Sequence, residues 1–274
     1  MPEPRVLLLD LETLPLVVFS WGLKVDGYLP HDSVVKDKHI ACAAWKWLGG
    51  TKVYSASARI GKPDPDRRVL QKMHEAWHEA DAVVAHHGDA FDIPWLQARW
   101  IALGFPPVKP LIQIDTRKIA KARFYFTSNR LDYLGQHFGL GKKIKTDFDL
   151  WKRVFTGEKA AMTEMLTYNK QDVLLLEKVY LHMRPHFPAK LNRALFVDDE
   201  DTASRTCPAC GADKLIAEGY SYTRQGKRRN YVCGTRPDGR RPNGKHTKGG
   251  VEGCGAWCYR LVASAERPKG TMPR

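Results

Sequence analysis

Five of the chain's six cysteines, Cys207, Cys210, Cys233, Cys254 and Cys258, crowd into roughly its last quarter, and the same stretch is strongly basic. Residues 203–274 hold 15 Lys and Arg against 5 Asp and Glu, net +10, out of +14 for all 274 residues. A segment so short and polar cannot bury enough apolar surface to fold unaided, so its cysteines must staple it, by disulfides or by a metal. Cys207-Pro208-Ala209-Cys210-Gly211 is a Cys-x₂-Cys knuckle, in which two thiolates of one tight turn reach one tetrahedral ion. The odd cysteine count points the same way. So does the N-terminus MPEPRVLLLD, which leaves no room for a charged segment, an apolar segment and a cleavage site before the first strand. The expectation is one structural Zn²⁺ in a reducing, cytoplasmic compartment, with the metal supplying the folding energy of the segment. For the second ligand pair, Cys254-x₃-Cys258 fits on spacing, while Tyr231-Val232-Cys233 reads as a strand entering a knuckle and would pair Cys233 with Cys254.

Ahead of this segment, Pro185 to Asp201 carries prolines and the acidic run Asp198-Asp199-Glu200-Asp201, the composition of a linker. The expected organisation is a domain over 1–190, a linker over 191–205 and a small basic zinc-binding domain over 206–274. The first domain alternates strand-like and helix-like segments. Arg5–Asp10 is an apolar run that suits a buried strand, and His39–Trp47 with Lys52–Ser57 reads as an antiparallel hairpin across Gly49-Gly50. Arg67–Ala80 places Leu70, Met73 and Trp77 at helical spacing; Ala82–His86 and Leu111–Asp115 suit strands; Ile93–Leu103 and Met162–Met183 suit helices. This order predicts an α/β fold, a mixed sheet flanked by helices. At 43% hydrophobic and 27% charged residues the chain is not disordered, and no apolar run approaches a membrane span. The excess positive charge points to a polyanionic partner, nucleic acid first.

Three acidic positions stand out. In Leu9-Asp10-Leu11-Glu12-Thr13, at the end of the first strand, Asp10 and Glu12 project to one side, and two carboxylates held together repel unless a cation lies between them. Hard oxygen ligands suit Mg²⁺ or Mn²⁺. In His86-His87-Gly88-Asp89-Ala90-Phe91-Asp92-Ile93-Pro94, Asp92 precedes a helix and taken alone reads as its cap rather than as a ligand. In Tyr168-Asn169-Lys170-Gln171-Asp172, spacing of four puts the phenol and the carboxylate on one helix face.

Taken in order, DLET, HHGDAFDIPWL and YNKQD resemble the three exonuclease motifs of the tyrosine-containing DEDD superfamily, 3′–5′ exonucleases of ribonuclease-H-like fold. The stretch IDTRKIAKARFYFTSNRLDYLGQHFGLGKKIKTDFDLW is similar to stand-alone bacteriophage exonucleases described as DNA polymerase exonuclease subunits. The resemblance covers about residues 5–185 and continues into the cysteine segment. It implies that Asp10, Glu12, Asp92 and Asp172 hold two Mg²⁺ or Mn²⁺ ions, one activating water and the other stabilising the leaving 3′ oxygen. Tyr168 would orient that water, since a phenol of ordinary pKa ~10 is a poor base. DNA, as single strands or 3′ ends, would be degraded to 5′-mononucleotides. A separate DNA polymerase is a further implied partner, and the location would be the host cytoplasm for a viral protein. An exoribonuclease and a non-catalytic binding protein on the same scaffold are the competing readings. One departure is His87, where relatives read Asn.

For substrate contacts, the expectations are Thr13 and Leu14 at the terminal nucleotide, Phe91 beside the site, and Lys142 and Lys143 at phosphates. Resemblance of Cys254-Gly255-Ala256-Trp257 to a closing knuckle favours Cys207, Cys210, Cys233 and Cys254 as zinc ligands, across an unusually long insertion, with Cys258 the alternate and His246 a minor candidate. Arg228 and Arg229, with Arg224, Lys227, Arg236, Arg240 and Arg241, would clamp phosphates, and Tyr220, Tyr222 and Tyr231 would stack on bases. Set aside were His74 and His78 as surface histidines, Asp115 as a helix cap, Asp147 and Asp149 for want of a preceding strand, and Cys42 as a buried thiol.

Overall fold

The computed structural model describes residues 4–24, 27–188, 190–192, 200–223, 226–234 and 253–264. The chain divides into two compact units, Arg5–Tyr180 and the residues from Leu181 onward.

In the first unit the elements follow one another as β1 (Val6–Leu14), β2 (Val17–Val18), β3 (Val34–Lys36), β4 (His39–Trp47), β5 (Val53–Ser57), α1 (Arg67–Glu79), β6 (Ala82–Ala85), α2 (Asp92–Ala102), β7 (Ile112–Asp115), α3 (Thr116–Arg123), α4 (Leu131–His137), α5 (Phe148–Phe155) and α6 (Lys159–Met183). The main sheet runs β5-β4-β1-β6-β7. β1 pairs antiparallel with β4 and parallel with β6; β4–β5 is antiparallel and β6–β7 parallel. This is the mixed sheet expected from hairpin strands followed by βα units.

β1 is central, and its alternation sorts its residues between two layers. Leu7, Leu9 and Leu11 enter the core that α1 and α2 complete with Leu70, Met73 and Leu96. The even-numbered residues therefore face the other side of the sheet. On that side Leu14, Ala41 and Cys42 pack with Leu150 and Val154 of α5 and with Ala161 and Met165 of α6. Asp10 and Glu12 thus emerge from a strand buried on both faces, turned toward α6. A register shift between Glu12 and Thr13 ends the regular pairing with β4. Such a bulge bends a strand and re-aims its side chains, and here it falls one residue past the second carboxylate.

α6 is long because its buried stripe is long: Ala161, Met165, Asn169, Val173, Leu176 and Tyr180 recur at three- and four-residue spacing and are all buried. Two features fix its register. Glu177 forms a buried ion pair with Lys46 of β4 and accepts from the Gly49 N–H at 2.9 Å. On α4, a side chain at Gly135 would strike the Gly141 carbonyl at 2.8 Å and Leu175 of α6 at 2.8 Å, so glycine there lets the 141–145 loop lie against α6.

The second unit contains α7 (Glu200–Arg205), which falls inside the stretch expected to be a linker, and β8 (Leu215–Thr223), β9 (Gly226–Cys233) and β10 (Trp257–Ser264). The strands form an antiparallel sheet of order β10-β9-β8. Its buried cluster is small: Cys207, Ala209, Cys233 and Ala256. Among the described residues no helix is long and apolar enough to cross a membrane.

Candidate active site and cysteine cluster

One oxygen each from Asp10, Glu12 and Asp172 lies within 4.8 Å of the others. Asp10 and Glu12 come from the exit of β1, and Asp172 from the face of α6 that covers it. Asp172 is fully buried and neither of its oxygens is held in an aligned hydrogen bond. The nearest positive charge is the Lys143 ammonium, 2.5 Å from Asp172 Oδ2. Asp92, 2% exposed, sits just outside the group of three. It does not cap α2; it is the first residue of that helix, and its Oδ1 accepts from the Leu11 N–H of β1 at 3.0 Å. The helix start is thereby tied to the strand between the two carboxylates.

Four acids packed into one apolar crevice resist ionisation. Burial, then the charges of Asp92 and Glu12, hold Asp10 well above the usual carboxylate range. Burial and Asp172 push Glu12 up to about 8, and burial pushes Asp92 up to about 7. Asp172 is raised by burial as well, against the pull of Lys143. A cluster of this kind is relieved by a cation, and an all-oxygen donor set suits a hard divalent one. The residues present fit Mg²⁺ or Mn²⁺.

Tyr168 stands one turn before Asp172. Burial and the Asp172 charge push its phenol above its ordinary value, so it stays protonated. Its oxygen accepts from Lys143 Nζ at 3.3 Å, and Trp151 meets its ring edge-on at 6.4 Å. Lys143 was expected at a phosphate; the structure places it among the carboxylates, where Asp172 and Asp10 outweigh its burial and hold it charged. Its backbone N–H donates to Asp132 Oδ1 at 2.8 Å, which fixes the loop. Lys142 is exposed. Thr13 is half-buried beside Glu12, and Phe91 packs on Trp95. Leu14 is 1% exposed among Ala41, Cys42 and Leu150, so its side chain is occupied in the core rather than presented to a ligand.

Asn169 went unread in the sequence. It is fully buried, and its Nδ2 donates to Asp10 Oδ2 at 2.6 Å and to the Asp10 carbonyl at 3.2 Å. The Cys42 thiol approaches its Oδ1 at 3.8 Å. The available signal was its place in the Ala161–Met165–Asn169–Val173 stripe, where a buried amide needs a partner.

The unusual His87 is exposed and adopts φ 75°, in the left-handed region where Asn and His are enriched over other residues. Its N–H donates to Asp115 Oδ1 at 3.0 Å. What this position demands is a backbone conformation, and His meets that demand as Asn would. His86 is structural: Nε2 donates to the Asn129 carbonyl at 2.9 Å, and burial pushes the ring down to about 4. Asp115 caps α3 through the Lys118 N–H, and Asp147 caps α5 through the Asp149 and Leu150 N–H groups. His74 binds the Pro106 carbonyl and packs on Trp100. Cys42 is fully buried.

In the second unit, sulfur atoms of Cys207, Cys210, Cys233 and Cys254 lie within 4.8 Å of one another, with Cys207–Cys254 at 3.8 Å and Cys210–Cys233 at 3.6 Å. A tetrahedral ion with Zn–S bonds of ~2.3 Å requires sulfurs ~3.8 Å apart, so the four thiols fit zinc. Gly211, at φ 83°, lets the first knuckle fold back so that its N–H reaches the Cys207 carbonyl at 2.9 Å. Cys207 and its thiol neighbours pull the Cys210 thiol far below its ordinary value and push Cys233 far above it. Cys258 stands on β10 opposite Tyr231, outside this group. Arg228 and Arg229 are neighbours on β9 and so serve opposite faces of the sheet: Arg228 lies over Tyr259 at 4.2 Å, and Arg229 donates to the Tyr220 hydroxyl at 3.3 Å. Arg224, Arg236, Arg240, Arg241, His246 and the side chain of Tyr222 lie outside the described residues.

No curated protein sequence matches the chain. Among solved structures it is similar to the family B DNA polymerase from the hyperthermophilic archaeon Pyrobaculum calidifontis, with a TM-score of 0.50 and 19% identity over 67% of this chain. The match takes in 25% of the polymerase, so the chain spans about a quarter of that protein's length. A family model described as the RNase H superfamily matches residues 36–184, more than half of the chain. The strand that carries Asp10 and Glu12 lies ahead of the matched residues yet forms the centre of the same sheet. The chain belongs to the RNase H superfamily.

Proposed function

We propose that the chain is a metal-dependent 3′–5′ exonuclease of the tyrosine-containing DEDD type that degrades DNA from single-stranded 3′ ends to 5′-mononucleotides. The observation that carries this reading is the convergence of Asp10, Glu12 and the fully buried Asp172 within 4.8 Å. Together with Asp92 they would hold two Mg²⁺ or Mn²⁺ ions, which when bound supply an activated water and a counter-charge for the leaving oxygen. The chain's own residues set the geometry. Asn169 orients Asp10, the Leu11 N–H holds Asp92, and Tyr168, kept protonated, positions a water by hydrogen bonding rather than by taking its proton. Lys143, charged and beside Asp172, offers a donor to a phosphate oxygen. DNA as the substrate rests on the motif resemblance and accords with the fold likeness to a DNA polymerase. A polymerase would then be a partner in trans.

In this reading the residues of 1–190 cut, those of 191–205 link, and those of 206–274 form a zinc ribbon whose basic strands help hold the substrate. The test is release of nucleotides from 3′-labelled single-stranded DNA, duplex DNA and RNA, with Mg²⁺ and with EDTA. Wild-type protein should shorten single-stranded DNA only with metal, and Asp10→Ala/Glu12→Ala should lower the rate at least ~10³-fold. Equal rates for the double variant refute the site. Faster cleavage of RNA transfers the reading to an exoribonuclease, and binding without release in Mn²⁺ reduces the fold to a scaffold.

A further inference from the structure

β1 and β4 pair as neighbours, yet the chain does not turn directly from one to the other. Residues 15–38 run outward instead, returning through the short ribbon of β2 and β3. Its outer end holds large apolar side chains almost wholly in solvent: Phe19 is 78% exposed, Trp21 109%, Leu23 108% and Tyr28 100%. Among the described residues of the excursion none buries these rings, and apolar side chains exposed together in this way mark a site for a ligand or partner.

Three hollows lie along the chain between Thr13, the residue after Glu12, and these rings. The first, about 470 Å³, opens at Thr13, next to Glu12, and is walled by Pro15, Phe148 and Trp151, the ring that meets Tyr168. The second, about 320 Å³, shares Pro15, Phe148 and Trp151 and extends to Val17, Lys152 and Phe155. The third, about 750 Å³, begins two residues beyond Val17 at Phe19 and is lined by Trp21, Leu29 and Pro30. The Phe19 N–H donates to the Ser33 carbonyl at 2.9 Å, which joins the ribbon's two sides at that point. The first two hollows share three walls, and the third begins just past the same ribbon strand, so aromatic and apolar side chains recur from the residue after Glu12 out to Trp21.

We propose that this path is the track for the nucleotides immediately behind the 3′ terminus, held chiefly by stacking of their bases. The proposal rests on the exonuclease reading for its direction and adds the element that grips the strand. Charge decides how it grips. Residues 1–202 carry a net charge of only +4, and the cutting site is itself acidic, so phosphate attraction near it is weak. Along the path Lys24, Lys36 and Lys152 are offset in part by Asp32 and Asp147, and Lys36 is turned over the Phe155 ring at 4.7 Å. Rings that accept any base, reached from a site that removes any nucleotide, suit a single strand read without sequence preference. A protein partner or a second copy would bury the same rings but would have no reason to follow the hollows to Glu12.

The experiment uses the full chain and 5′-fluorescein oligothymidylates of two to twelve nucleotides, with no divalent ion added so that nothing is cut and no chelator present, and with anisotropy as the readout. Wild-type affinity should rise with length over the first several nucleotides. Phe19→Ser/Trp21→Ser should flatten that rise and weaken dT12 binding ~10-fold or more, with the slope of log Kd against log salt unchanged. Trp21→Phe, which keeps a ring, should retain most of the affinity. Both positions are exposed, so thermal melting of the variants should match wild type. Unchanged dT12 affinity in the double variant overturns the track. So does a loss that comes with a shallower salt slope, which assigns the contact to phosphates. Unchanged affinity with a lower sedimenting mass gives the face to a second copy of the chain. Because no catalysis is involved, the track stands or falls separately from the exonuclease activity.

Discussion

Asn169 and the four carboxylates make the residue-scale case. Asp10 brings an oxygen within 4.8 Å of Glu12 and Asp172, and its Oδ2 accepts from Asn169 Nδ2 at 2.6 Å, so a neutral amide orients the acid without cancelling its charge. Asn169→Ala removes that donor and leaves the buried carboxylate free to rotate. Apparent metal affinity, read as the Mn²⁺ concentration for half-maximal activity, should weaken ~10- to 100-fold, the usual cost of losing a residue that orients a ligand. Unchanged metal dependence would leave Asn169 a core residue and nothing more. The pKa shifts make a second prediction, for metal-free protein. Glu12, at about 8, and Asp92, at about 7, bind protons in the folded state at pH values where the unfolded chain has released them. Folding is therefore favoured below these values, and the gain is lost as pH rises through them. With no divalent ion added and no chelator present, the melting temperature should climb from pH 8.5 to about 6.5, by the equivalent of ~2 kcal/mol. His86, pushed down to about 4, works the other way: below about 6.5 the unfolded chain takes up a proton that the buried ring refuses. One imidazole offsets only part of what the carboxylates contribute, so without added divalent ion the melting temperature should keep climbing below pH 6.5, less steeply, and with Mn²⁺ it should be flatter on the alkaline side. A melting curve that rises steadily toward pH 8.5 without divalent ion would contradict the crowding of these acids.

At the scale of elements, the site is a meeting of β1, the start of α2 and the middle of α6, and these were legible to different degrees. β1, the β4–β5 hairpin, α1, α2 and α6 were readable because each carries its own period: a short apolar run, a Gly-Gly turn, or a repeat of buried residues at three and four. Asp10, Glu12, Asp92 and Asp172 were readable because each interrupts such a pattern at a place where a charge is costly. Side-chain destinations were not legible. The sequence offers Asp92 as a helix cap sooner than as a ligand, and only the Leu11 N–H across the sheet separates the two. Lys143 reads as one of several loop lysines until Gly135 allows its loop to lie against α6. The excursion over residues 15–38 was missed because two-residue strands have no period to detect. The Lys46–Glu177 pair was missed because its partners are 131 residues apart. That pair also shows what holds α6 in register. A buried ion pair contributes little net stability beyond a hydrophobic pair, yet removal of one partner costs ~3–5 kcal/mol, so it disfavours a helix slid along the sheet.

At the scale of the whole molecule, the two units fold by different means. Arg5–Tyr180 has a layered core on both faces of a five-stranded sheet. Among the described residues from Leu181 onward, the buried cluster around the knuckles comprises Cys207, Ala209, Cys233 and Ala256, with Cys210, Ala212, Leu215 and Cys254 at its edge. At ~25 cal/mol per Å² so little apolar area cannot offset the entropy of ordering three strands and their knuckles. The four thiols stand where the missing stabilisation would be supplied, at separations that match a tetrahedral zinc. All four sulfurs lie within 4.8 Å of one another as one group, the arrangement a tetrahedral ion requires rather than two separate disulfide pairs. Purified protein should hold about one zinc per chain by elemental analysis. Cys233→Ser should abolish stoichiometric zinc, whereas Cys258→Ser, outside the cluster, should keep it. A strong chelator should remove the amide-exchange protection of β8, β9 and β10 while leaving that of β1, β4 and β6 in place, because the larger unit has its own core. Protection that survives in β8–β10 after complete loss of zinc would show that the small unit folds without metal. A parallel loss in β1 would show that zinc stabilises the entire chain.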